Sequence, residues 1–254
     1  MGKVPDTLRT ALPSPSRAAL FIDFDGTLVD IAARPDAIVV SPSLPDMLAQ
    51  LGTCLNGALA LVSGRAAGDL AAHLPTFDGI IVGGHGAEWR LTGDITPRVQ
   101  IAQSDVAALT ADVAAFATAQ ADILLEEKPT GLVLHYRAAP ALADQVAAQA
   151  ERLARSHPAF ETHASKMAVE LRPAGVGKDA AIADLMATPP FTGRTPMMIG
   201  DDTTDEPAMA WAQIQGGLGI KVGSGDTGAQ HRLDTPQDVH ALLQNWAQQQ
   251  SIAP

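Results

Sequence analysis

Cysteine, aromatic residues and clustered positive charge are all scarce in this chain. Its 254 residues include one cysteine, Cys54. An internal disulfide is therefore excluded, and a reducing cytoplasm is the expected compartment. Thr53 and Leu55 offer Cys54 no activating motif, so it reads as a small buried apolar side chain. Six Phe, three Trp and one Tyr leave the core to Ala, Leu, Val and Ile. No long apolar run is present, so no membrane span is expected. Lys and Arg number 17 against 28 Asp and Glu, a formal net charge of −11, and no basic tract interrupts that balance. Nucleic acid and anionic membranes both need a positive footprint and are not expected partners. Residues 1–16 carry scattered charge and three prolines without the apolar segment of a signal peptide, and read as a loose leader.

What is present is a rhythm. Ala18 to Ile22, Ala58 to Val62, Gly79 to Val82 and Pro196 to Ile199 are short apolar runs suited to buried parallel strands. Helices are expected between them, from about Ser43 to Leu55 (Ser41 or Ser43 as N-cap), Ala66 to Leu74, Gly177 to Met186 and Thr204 to Trp211. An edge strand over Gly217 to Val222 and a closing helix over Pro236 to Gln249 complete this part. Alternation of this kind implies an α/β fold with a Rossmann-like parallel sheet, whose ligands sit beyond the carboxyl ends of the strands. The middle of the chain differs. Helices over Ser104 to Gln120 and Ala141 to Arg155 alternate with pairs of short strands, Ile123 to Leu125 with Leu132 to Leu134, and Phe160 to Thr162 with Met167 to Leu171. An inserted, smaller α+β domain over 104–173 is expected, within a core formed by 1–103 and 174–254.

Polar motifs follow the apolar runs directly. In Asp23-Phe24-Asp25-Gly26-Thr27-Leu28 two carboxylates leave a buried strand two residues apart. They are costly there unless a cation neutralises them, and Mg²⁺ with hard oxygen ligands is the natural partner. A carboxylate can also attack phosphorus, and a second one can protonate the leaving oxygen and then activate water. Thr27 is expected to hydrogen-bond the turn. Ser63 and the Gly64 N–H, near a helix start, form a phosphate clasp, though a plain N-cap has the same signature. Arg65 either reaches substrate or pairs with an acid. Lys178 opens a helix against the macrodipole preference, which points to a task such as binding phosphate and steadying Asp23. Gly200-Asp201-Asp202-Thr203-Thr204-Asp205-Glu206 places four acids in six residues at another strand end. His85 could touch substrate but in a glycine loop reads rather as structural, and the scattered His73, His157, His163, His231 and His240 show no metal-ligand spacing.

These four pieces, in this order, resemble the haloacid dehalogenase superfamily, from Ala18 to Trp246. Leu61-Val-Ser-Gly-Arg65, His85-Gly-Ala-Glu88, Glu126-x-Lys128, Leu134-His-Tyr-Arg137, Glu170-x-Arg172-Pro173 and the 200–206 string resemble the trehalose-6-phosphate phosphatase family in particular. Lys178-Asp179 departs from the Lys-Gly usual in that family. The resemblance implies a C2-type cap for the insertion and Asp23 as nucleophile. It implies Asp25 as general acid and base, with its backbone carbonyl on Mg²⁺, and Asp201 as the remaining protein ligand. Asp202 and Asp205 would then hold water or Lys178. Ser63, Gly64, Arg65 and Lys178 would serve the phosphate. Glu126, Lys128, Arg137, Lys166 and Glu170 would grip the sugar, although alternate polar residues on short strands also arise as a solvated face.

The expectation is a Mg²⁺-dependent sugar-phosphate phosphatase, a monomer or weak oligomer, acting on trehalose 6-phosphate. Sucrose phosphate or another disaccharide phosphate is an alternative substrate. A phosphomutase of the same superfamily would return the phosphoryl group to sugar. A non-catalytic sugar-phosphate-binding domain should lack Asp23 or Asp25, and both are present.

Overall fold

The computed structural model describes residues 4–32, 37–128, 131–165 and 167–248. They divide into two compact units, one formed by Met1–Thr96 and Gly177–Pro254 and the other by Pro97–Val176. The second unit thus takes in a few residues on either side of the expected 104–173.

In the first unit β1 (Ala18–Ile22), β2 (Leu59–Val62), β3 (Ile80–Gly83), β10 (Thr195–Gly200), β11 (Leu218–Val222) and β12 (His231–Leu233) run parallel. Strand β4 (Glu88–Arg90) turns back antiparallel on β3, and β5 (Thr96–Pro97) follows it. The order across the sheet is β12-β11-β10-β1-β2-β3-β4-β5. Period-two alternation sorts β1 between two cores. Ala18, Leu20 and Ile22 face α2 (Leu44–Cys54), α3 (Ala67–His73) and α8 (Pro236–Gln248). Ala19 and Phe21 face α6 (Lys178–Met186) and α7 (Glu206–Ile214). Because β1 is covered on both sides, all five of its residues are buried.

Two expectations need correction. The leader is not loose over its described part: α1 (Asp6–Ala11) folds there, and Val4 and Leu8 join the core. Nor is β11 an edge, since Ile220, Lys221 and Val222 pair with His231, Arg232 and Leu233 of β12. A three-residue strand after a glycine-rich loop leaves little sequence pattern to read.

The second unit is an antiparallel sheet of order β6-β7-β9-β8, built from β6 (Leu124–Lys128), β7 (Gly131–His135), β8 (Phe160–Ser165) and β9 (Ala168–Pro173). Leu132, Leu134, Val169 and Leu171 pack with residues of α4 (Gln103–Thr118) and α5 (Ala143–Ser156), among them Leu109, Val113, Val146 and Ala150. Alternation turns Glu126, Val133, Glu170 and His163, one register row across the sheet, to the opposite face. No helix among the described residues is long and apolar enough to cross a membrane.

Phe21 is fully buried and stacks on Phe191 with ring centroids 5.3 Å apart. Phe21→Ala should cost about 3–5 kcal/mol of unfolding free energy, whereas Leu91→Ala, at a half-exposed site, should change it by about 0.5 kcal/mol or less. Urea midpoints of the two variants provide the comparison.

Candidate active site

The strand order brings distant motifs together. Strand β1 lies between β10 and β2, so Asp23, Asp201 and Ser63 emerge side by side at three adjacent carboxyl ends. Backbone bonds set their depth: the Asp23 N–H donates to the Ile199 carbonyl at 2.9 Å, and the Ser63 N–H to Val82 at 2.9 Å. The 23–29 turn is closed by its own backbone, with the Gly26 N–H donating to Val29 at 2.7 Å and Leu28 to Phe24 at 2.9 Å. Gly26 has φ +75°, and a Cβ there would collide with Asp201 Oδ2. Only glycine allows both the turn and the approach of the Asp201 carboxylate. The fully buried Thr27 hydroxyl makes no hydrogen bond to this turn, contrary to expectation.

Lys178 is the hub. Its ammonium donates to Asp23 Oδ1 at 2.7 Å and to Asp205 Oδ1 at 2.6 Å. The lysine side chain is 3% exposed and that of Asp205 0%. Burial alone would drive the ammonium to give up its proton, but Asp205 and Asp23 outweigh it and hold the pKa above the ordinary lysine value. Burial likewise pushes the Asp23 carboxyl well above its ordinary range, with Asp205 and Asp201 adding to the rise and Lys178 opposing it. Asp179, the departure beside Lys178, packs against Gly177 in the turn before α6. Asp202 caps the short turn ahead of α7, accepting from the Thr203 N–H at 2.7 Å while its own N–H donates to Asp205 Oδ2 at 3.1 Å.

One carboxylate oxygen each from Asp23, Asp201 and Asp205 lies within 4.8 Å of the others. Three hard oxygen donors, two of them on buried residues in direct contact with Lys178, fit a divalent cation such as Mg²⁺. Asp205 joins this cluster by its side chain, and the Asp25 side chain does not. The Asp25 carboxylate is instead gripped by Arg65, with Nε–Oδ2 at 2.6 Å and Nη2–Oδ1 at 2.7 Å. Of the two tasks open to Arg65, pairing with an acid is the one observed; Nη1 also meets Asp69 at 2.8 Å. The bond to Asp25 raises the already high pKa of this guanidinium.

The Ser63-Gly64-Arg65 segment is clamped by the glycine loop that follows β3. The Gly84 N–H donates to the Arg65 carbonyl at 2.7 Å and the His85 N–H to Ser63 at 2.9 Å. The buried His85 ring fits against Gly64, where a Cβ would approach Nε2 to 2.5 Å. Glu88 caps α3 through the Ala67 N–H at 2.9 Å. Ser63 Oγ accepts from the Arg65 N–H at 3.2 Å, which leaves the hydroxyl hydrogen as a donor.

In the second unit Glu126 Oε2 pairs with His135 Nε2 at 2.7 Å, and Lys128 Nζ approaches Glu170 Oε1 at 3.5 Å. Arg137 is exposed in the turn after β7. Lys166 lies outside the described residues. His163, assigned no task from sequence, joins the same face, with Nε2 2.8 Å from Glu161 and Nδ1 2.7 Å from Arg172 Nη2. Because a guanidinium only donates, Nδ1 accepts and the ring proton sits on Nε2. Burial lowers the His163 pKa, which favours this neutral form. Lys221, buried on β11 with its ammonium on the Asp201 carbonyl, was missed from sequence because a lone lysine in an apolar strand carries no motif.

Burial first, then Asp205 and Asp202, raise the Asp201 pKa from 3.8 to about 6, with Lys178 and Lys221 opposing. A carboxyl that titrates higher in the folded chain binds more protons there, so its contribution to stability declines as pH rises through this window. Asp201→Asn removes that decline. In metal-free protein the variant should gain on the wild type between about pH 4 and pH 6 and keep the gain above it. Urea midpoints against pH measure this, and a difference that does not vary with pH would contradict it.

Comparison with known proteins places the chain in a family. The family model described as trehalose-phosphatase matches residues 21–238. The trehalose-6-phosphate phosphatase of Escherichia coli (strain K12) is 35% identical over 229 residues, covering 90% of this chain and 86% of that protein. A probable trehalose-phosphate phosphatase of Sinorhizobium fredii is 40% identical over 208 residues, covering 81% and 77%. Among solved structures, a trehalose-6-phosphate phosphatase related protein superposes with a TM-score of 0.73 at 25% identity over 91% of this chain and 98% of that one. A haloacid dehalogenase-like hydrolase from Bacteroides thetaiotaomicron shares the fold, with a TM-score of 0.64 at 17% identity over 90% and 98%. The carboxylates and lysine gathered at the ends of β1, β10 and α6 thus stand in the matched region, and the chain belongs to the trehalose-phosphatase family of phosphoric monoester hydrolases.

Proposed function

We propose that the chain hydrolyses trehalose 6-phosphate to trehalose and phosphate, through a phosphoryl group carried on Asp23. The observation that carries this reading is the convergence of Asp23, Lys178, Asp201 and Asp205. Lys178 holds Asp23 Oδ1, which leaves the other oxygen to attack phosphorus. The bond from phosphorus to the sugar oxygen breaks, and Asp25 gives that oxygen its proton. In the second half, Asp25 takes a proton from water as the water oxygen attacks the same phosphorus, and the bond to Asp23 breaks to release phosphate. Arg65, which meets both Asp25 oxygens, fixes the orientation of this carboxyl between the two halves. The Ser63 hydroxyl and the Gly64 N–H donate to phosphate oxygens.

Asp23, Asp201 and Asp205, with the Asp25 carbonyl, are the groups we assign to Mg²⁺. When bound, the cation supplies positive charge against the phosphate and the acids. The polar face of the second unit, with Glu126, Lys128, Arg137 and Glu170, is the surface we assign to the sugar, in the role of a cap. Lys166 is included on resemblance. One free cysteine fits the cytoplasm as the compartment.

Phosphate release should require a divalent cation: EDTA should abolish turnover of trehalose 6-phosphate and Mg²⁺ restore it. Asp23→Asn should remove turnover without unfolding the protein, and an active variant would exclude attack by Asp23. A bisphosphate requirement, or sugar phosphate as the product, would identify a phosphomutase instead.

The core groups meet only a phosphate ester, so sugar selectivity should reside in the second unit. Glu126→Ala or Lys128→Ala should lower kcat/KM for trehalose 6-phosphate by roughly 1–3 kcal/mol of lost hydrogen bonding, and turnover of a small aryl phosphate much less. Equal losses on both substrates would mark these residues as structural.

A further inference from the structure

Strand β11 delivers a residue that none of the phosphoryl-transfer motifs contains. Lys221 stands opposite Gly200, the last residue of β10, in parallel register. Its neighbours Ile220 and Val222 enter the core beneath α2 and α8, so alternation turns Lys221 to the α6 and α7 side. The residue is 4% exposed, and its ammonium donates to the backbone carbonyl of Asp201. A buried ammonium is expensive unless its surroundings compensate it. Here the compensation comes from that carbonyl and from the acid cluster just past the strand end, where Lys221 is one of two cations acting on Asp201.

The position of that carbonyl matters because Asp201 is the first residue beyond β10. Two groups constrain it. The bare backbone of Gly26 receives the carboxylate on one side. Lys221 holds the peptide through its carbonyl. We propose that Lys221 is a positioning residue: by anchoring the Asp201 carbonyl it aims the Asp201 carboxylate at Asp23 and Asp205 and so sets the affinity of the site for its divalent cation. This inference rests on the assignment of those three aspartates to the metal.

Charge and geometry make opposite forecasts, which gives the test its sign. Removing a cation beside a metal site relieves repulsion and would by itself tighten Mg²⁺ binding. Loss of a positioning contact weakens it, typically about 10–100-fold for groups that orient metal ligands. The experiment is calorimetric titration of the whole metal-free protein with Mg²⁺ alone, for wild type and Lys221→Met, with circular dichroism to verify that the variant is folded. The expected result is a Kd at least about ten-fold higher in Lys221→Met. An unchanged or lower Kd in a folded variant overturns the proposal and leaves Lys221 as a strut or a counter-charge. Absence of Mg²⁺ binding to the wild type would instead remove the metal assignment itself. If Lys221→Met does not fold, Lys221→Gln, which removes the charge and draws the donor back from the carbonyl, is read in the same way.

Discussion

A single ammonium group, that of Lys178, joins the two halves of the catalytic sheet. It reaches Asp23 at the end of β1 and Asp205 ahead of α7 at bonding distance, with all three side chains almost wholly out of water. Each carboxylate would be prohibitively costly at that depth alone, as would the lysine. Together they hold one another in place, and their mutual dependence fixes the spacing between β1, α6 and the 200–206 loop. The balance remains negative: burial first, and the neighbouring acids after it, hold Asp23 and Asp201 above their ordinary range. A site left this acidic in the free protein is suited to a divalent cation and, through it, to a phosphate ester.

A second set of constraints surrounds Asp25. This carboxylate is more exposed than Asp23 and is held by Arg65, which is held in turn by Asp69. The Arg65 backbone is set by Gly84, and the helix that carries Asp69 is capped by Glu88. The two aspartates of one motif are therefore treated differently. One is buried against a lysine whose ammonium fixes a single oxygen. The other is fixed at both oxygens by a planar guanidinium. The motif thus presents one carboxylate held in depth by a lysine and a second, more exposed one held in orientation by an arginine.

The parallel sheet, the insertion and the strand-end placement of the motifs were legible because each has a local cause. Apolar runs such as 18–22 form strands wherever they can be covered on both faces, and acids directly after them can only lie at carboxyl ends. In the insertion, short segments at 123–125 and 132–134 with a hairpin-like spacing, and at 160–162 and 167–171, marked the strands alternating with two helices. Less was legible where the signal was short or ambiguous. The α1 helix has one turn of apolar anchoring at Leu8, and β12 has three residues, so neither shows a period. Arg65 satisfied two descriptions equally well until Asp25 was seen opposite it.

Sequence by itself determined which chemical groups this protein carries and the ends of which strands carry them, because hydrophobic periodicity and turn chemistry act over a few residues. It determined Asp23, Asp25, Ser63, Lys178 and Asp201 as candidates in that sense. Only tertiary structure decided which groups meet. The partner of Arg65 is 40 residues away, Lys178 lies 155 residues from Asp23, and Lys221 is 20 residues from the carbonyl that it holds. Such pairings depend on strand order and register, which arise from the packing of the whole sheet, and no local pattern encodes them.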